Sequence, residues 1–73
     1  MARREIKSEI TGSVWKILKQ PGDDLGEEDP IMILESMKME IPVLAEMRAK
    51  LVEVRVKEND SVAEGQVLAV VDA

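Results

Sequence analysis

The chain has 73 residues, room for one small domain that buries a smaller share of its surface than a larger one would. It contains no cysteine, histidine or tyrosine, and Trp15 is its one aromatic residue, which excludes disulfides, thiolate metal sites, the commonest general base and an aromatic-lined pocket. A net charge of −5 argues against binding to a phosphate backbone, so neither a nucleic-acid partner nor a metal nor catalysis by this chain alone is expected.

From the N-terminus, Met1-Ala2-Arg3-Arg4 lacks the apolar segment of a secretory signal, and nowhere is there an apolar run of about twenty residues. No membrane partner is expected, and the lack of cysteine fits a reducing compartment, the cytoplasm. Ile6 to Ile10 reads as a first strand. A second begins near Ser13, a turn comes next at Pro21-Gly22-Asp23, and another apolar run starts at Pro30. The same sequence of features then recurs, with a strand from about Lys50, a turn at Glu58-Asn59-Asp60 and an apolar run from Val67.

Residues 14 to 35 align without gaps on residues 51 to 72, at an offset of 37. Asp23 meets Asp60, Glu27 meets Glu64, and Gly22 meets Asn59, the two residue types that most readily take positive φ. Eight of the 22 pairs are apolar in both copies, where chance pairing of the two compositions gives about four to five. Leu51 falls outside the alternation, whereas Val52, Val54 and Val56 alternate with Glu53, Arg55 and Lys57 as a half-buried strand does. Ile31 to Leu34 and Val67 to Val71 read as strands buried on both sides. Two similar β halves in one short chain imply an all-β fold, a pseudo-twofold sandwich or flattened barrel that closes its own edges. Residues 1–73 are read as a single domain, with half-repeats at about 8–35 and 45–72 joined by 36–44. Met39 to Ala45 would lead into the second half, and Pro42 places that strand at an edge or a bulge.

Local propensity opposes this reading from Met32 to Glu40, which are mostly good helix formers. The repeat overrides it. Glu35 aligns with Asp72 at the end of the second copy, so residues 36 to about 43 link two strands, through a tight hairpin with Met37-Lys38 at its tip. Ser36 would then face Met39, and Glu35 would face Glu40, a like-charged pair that a hairpin selected for stability would avoid. Methionines at such a tip look like something a partner protein grips. Taken alone, these residues also fit a solvating lysine, a half-buried methionine pair and a solvated acidic face.

The run Glu35-Ser36-Met37-Lys38-Met39-Glu40, a lysine between two methionines, resembles the attachment motif of biotinyl domains, the carrier modules of biotin-dependent carboxylases. The resemblance extends from about Ile6 to Asp72 through a Gly12 turn, Pro21-Gly22-Asp23 and Glu64-Gly65-Gln66. It implies two four-stranded antiparallel sheets related by a pseudo-dyad, with the lysine turn at the end opposite the termini. It further implies covalent biotin on Lys38, with Met37, Met39, Glu35 and Glu40 as recognition contacts for biotin protein ligase. The carrier would move CO2 between biotin carboxylase and carboxyltransferase sites of an acyl-CoA or 2-oxo acid carboxylase. Exposed lysine amines are almost wholly protonated at neutral pH, so activation falls to the ligase and the carrier contributes position.

Some positions depart from the family pattern: Ser36 where alanine is usual, Glu28 and Ala49 where glycine is usual, Glu46 where proline is common, and Lys19 at a normally apolar site. Lys19 would lay its stem along the core with its amine in water. Lipoyl domains also modify a hairpin lysine, but usually carry an acid directly before it, where this chain has Met37. Lipoyl or dual attachment is therefore the alternative, and an unmodified β interaction domain is the alternative of another class.

Overall fold

The computed structural model describes residues 2–73. Eight strands follow one another: β1 Arg3–Lys7, β2 Gly12–Ile17, β3 Asp24–Leu25, β4 Pro30–Ser36, β5 Met39–Leu44, β6 Ala49–Val54, β7 Ser61–Val62 and β8 Val67–Asp72. They form two antiparallel four-stranded sheets, ordered β1-β8-β6-β3 and β5-β4-β2-β7. Adding 37 to residue numbers carries β2 onto β6, β3 onto β7 and β4 onto β8, so one sheet order maps onto the other about a pseudo-twofold axis.

The turns repeat at the same offset because the same chemistry closes them. The Asp23 carboxylate accepts from the Gln20 amide, and Asp60 accepts from Lys57. Asp29 accepts from the Gly26 amide as Gln66 does from Ala63. Left-handed backbone recurs at Gly22 and Asn59 and at Glu28 and Gly65, so Glu28 occupies with a side chain the conformation that its counterpart fills with glycine.

Between the sheets lie Val14, Ile31, Met32, Leu34, Leu51, Leu68 and Val71, all fully buried. Burying this apolar area is the main stabilising term, in a domain expected to hold together by only about 4 to 11 kcal/mol. β8 is buried along Leu68 to Val71, whereas in β4 Ile33 is only half covered. Lys19 is half-buried, at the position whose counterpart in the other half is the core residue Val56. Pro42 lies in β5, the outer strand of its sheet, where its missing N–H costs no inner ladder bond.

Three sequence expectations need correction. The first strand runs from Arg3 to Lys7, not from Ile6 to Ile10. Arg3 finds a partner in Asp72, while at the other end the buried Ser8 hydroxyl donates to the Ile10 carbonyl and accepts from the Ile10 amide, folding the chain out of the ladder. Leu51, placed outside the alternation, is a central core residue. The β6–β8 register shifts between Leu51 and Glu53, and β2–β4 shifts between Val14 and Lys16. These paired bulges at Val52 and Trp15 reset the inward face, which strict alternation cannot represent. Gly12, read as a turn residue, is the first residue of β2.

Candidate functional site

The site is built outward from the β4–β5 ladder. Glu35 pairs with Glu40 and Ser36 with Met39, leaving Met37 and Lys38 as a two-residue connection. Both have positive φ, 52° and 67°. That geometry marks a type I′ turn, whose twist matches the flanking strands and which asparagine and glycine normally fill. For side chains such as methionine and lysine, left-handed backbone costs about 1–2 kcal/mol each. The tip therefore carries a conformational cost, plus a like-charged cross-strand pair worth about 0.2–1 kcal/mol of repulsion.

What the cost secures is presentation. Met37 is 92% exposed and Met39 is 64% exposed, the most exposed large apolar side chains among the described residues. Lys38 is exposed, and among those residues it takes part in no side-chain hydrogen bond or ion pair. The root of the hairpin, by contrast, is held tightly. Ser36 Oγ donates to the Thr11 carbonyl at 3.1 Å, and Thr11 Oγ1 accepts from the Glu64 amide at 3.3 Å. Gly12 lets β2 press against β4 so closely that a Cβ there would stand 2.3 Å from the Glu35 carbonyl oxygen. Its counterpart in the other half is Ala49, so only the half that bears the tip demands this approach.

The structure thus gathers Glu35, Met37, Lys38, Met39 and Glu40 on one hairpin. Thr11 and Gly12 are supporting residues that sequence reasoning missed; the signal for them was the mismatch of Gly12 with Ala49 across the repeat. The tip also lies at the end away from the chain termini. Ala2 and Ala73 exchange backbone bonds beside β6's start, where Asp72 pairs with Lys50, whereas the hairpin root sits beside Gly12 and Val62. The molecule measures 36 × 17 × 17 Å, so the two ends are well separated.

Elsewhere a groove of about 370 Å³ runs between β1 and β5, floored by Ile6, Ile10, Leu34 and Ile41 and rimmed by charges of both signs. Among the described residues, no three acidic side chains converge in a metal-binding cluster.

Comparison with known proteins agrees with this geometry. The family model described as "Biotin-requiring enzyme", of the biotin/lipoyl type, matches residues 5–72. The biotin/lipoyl attachment protein of Bacillus subtilis is 41% identical over 63 residues, 86% of each chain. A biotinylated protein TB7.3 homolog of Mycobacterium leprae is 39% identical over 67 residues, 92% of this chain and 94% of that one. Among solved structures, the urea carboxylase of Kluyveromyces lactis superposes with a TM-score of 0.91 at 32% identity, over 97% of this chain and 6% of that much longer one. A match spanning nearly every strand, with relatives of the same length, shows that the chain belongs to the biotin/lipoyl attachment family as one of its biotinyl domains.

Proposed function

We propose that this chain is a biotin carboxyl carrier module in which Lys38 is the residue that receives biotin. The observation that carries this reading is the tip itself: a lysine with no ionic partner among the described residues, at the second position of a left-handed two-residue turn and flanked by two exposed methionines. Covalently bound biotin is the cofactor of biotinyl domains, and the donor chemistry here fits it. A primary amine that is exposed and has no ionic partner among the described residues can form an amide with an activated carboxyl. Once attached, biotin would supply the group that holds a transferable carboxylate.

The chain's own residues do the positioning. Met37 and Met39 offer flexible, polarizable surface for biotin protein ligase to cover, and Glu35 and Glu40 flank it with negative charge. The strained turn fixes the direction of the Lys38 side chain, and the Thr11, Gly12 and Ser36 contacts hold the root rigid beneath it. Among the described residues no side chain hydrogen-bonds or ion-pairs with the amine, so removal of its proton is left to the ligase. Tethering then raises the effective concentration of the group at each partner site, a biotin carboxylase and a carboxyltransferase of an acyl-CoA or 2-oxo acid carboxylase in the cytoplasm. The carrier contributes no catalysis.

The test is the intact mass of the chain after incubation with biotin, ATP and a biotin protein ligase, beside Lys38→Ala. One biotinyl amide on the native chain and none on the variant is the expected result. A lipoyl increment obtained only with a lipoate ligase would replace this reading with lipoyl attachment. No increment from either ligase would leave an unmodified interaction domain.

A further inference from the structure

Among the described residues, the same hairpin holds the two exposed sulfur atoms. With no cysteine, methionine is its only sulfur-bearing residue. Met32 is 0% exposed in the core and Met47 is half-buried, while Met37 and Met39 stand in solvent on either side of Lys38. Met1 lies outside the described residues. Susceptibility of a thioether tracks its exposure, and conversion to sulfoxide turns a flexible apolar side chain into a polar, chiral one. We infer that Met37 and Met39 are a paired oxidation site, and that their oxidation by hydroperoxides switches off modification of Lys38 without unfolding the domain. The second half of this statement rests on Lys38 being the attachment residue.

The chemistry balances with a hydroperoxide as oxidant. The sulfur lone pair attacks a peroxide oxygen, the O–O bond breaks, and water or an alcohol leaves as the thioether becomes a sulfoxide. Sulfur loses two electrons and the peroxide gains them. In the reverse step two thiols become a disulfide, and the sulfoxide oxygen leaves as water, with one reductase needed for each sulfoxide epimer.

The geometry confines the consequence to recognition. Neither tip methionine belongs to the buried core, so an added oxygen there displaces no core packing. What changes is the surface that a ligase must cover. Losing a buried thioether contact on each side of the lysine should slow its modification roughly ten- to a hundredfold. A carrier made under oxidative stress would then remain folded and unloaded until its sulfoxides were reduced.

The experiment treats the chain with hydrogen peroxide and maps each oxygen by peptide mass, a reading that needs no ligase. Initial rates of ligase-catalysed biotinylation are then measured on the untreated chain, on the oxidised chain, and after repair by the two methionine sulfoxide reductases. Oxygen is expected first on Met37 and Met39, the urea midpoint should be unchanged, and the rate should fall and then recover on repair. A Met47→Leu chain should lose rate equally on oxidation. Earlier oxidation of Met32 or Met47, or an unchanged rate for a chain bearing both tip sulfoxides, overturns the inference. Failure of the untreated chain to accept biotin would count against the proposed function alone, leaving the order of oxidation to decide this one.

Discussion

Replacing Lys38 with glycine removes the amine and the left-handed strain together, whereas Lys38→Ala removes the amine and leaves a Cβ at φ 67°. Among the described residues the Lys38 side chain makes no ion pair, so losing it should itself change stability by less than about 0.5 kcal/mol. Relief of left-handed backbone is worth about 1–2 kcal/mol, against about 0.5–1 kcal/mol for the extra freedom glycine gives the unfolded chain. Lys38→Gly should therefore be more stable than Lys38→Ala by up to about 1.5 kcal/mol, and both should refuse biotin. For a domain of this size, 1 kcal/mol raises Tm by about 4–8 °C. Urea titrations followed by far-UV circular dichroism, with equal m-values for the two variants, give the comparison. If Lys38→Gly proves less stable than Lys38→Ala, the turn does not hold this residue in the left-handed region, and the tip is not a strained one.

The supporting structure makes further predictions. Gly12→Ala drives a Cβ into the Glu35 carbonyl, and because that obstacle is backbone it should cost about 1–3 kcal/mol in urea unfolding and slow modification of Lys38 by displacing the hairpin root. Leu51→Ala, at a site with 0% exposure, should cost about 2–5 kcal/mol, enough to bring the thermal transition of so small a domain close to ambient temperature. Glu40→Lys converts the like-charged pair with Glu35 into an opposite-charged one and should stabilise by about 0.2–1 kcal/mol, a gain that shrinks as salt is raised.

The part of this fold legible in the sequence was the part written twice. One offset of 37 placed both apolar runs, both turns and the link between the halves, and it overruled a helical composition from Met32 to Glu40 that forms strand and turn instead. Ser36 facing Met39 and Glu35 facing Glu40 came from the tip alone, since a two-residue turn fixes the register of its hairpin. What escaped was non-periodic or long-range. The bulges at Trp15 and Val52 shift the inward face by one residue, and with alternation as the only guide Leu51 is lost from the core. The N-terminal shift of β1 depends on Asp72, almost the whole chain length away, and on a buried serine that closes a local turn. The tight contact at Gly12 is between two backbones, so its one trace in the sequence is the mismatch with Ala49 across the repeat.

If the turn, rather than general reactivity, selects the attachment point, a single lysine takes biotin. The chain has six lysines, and the other five lie outside the hairpin, at 7, 16, 19, 50 and 57. Fragmentation of the ligase-treated chain by tandem mass spectrometry locates the biotinyl group directly. It should be found on Lys38 alone. Biotin on any other lysine, or spread among several, would contradict it.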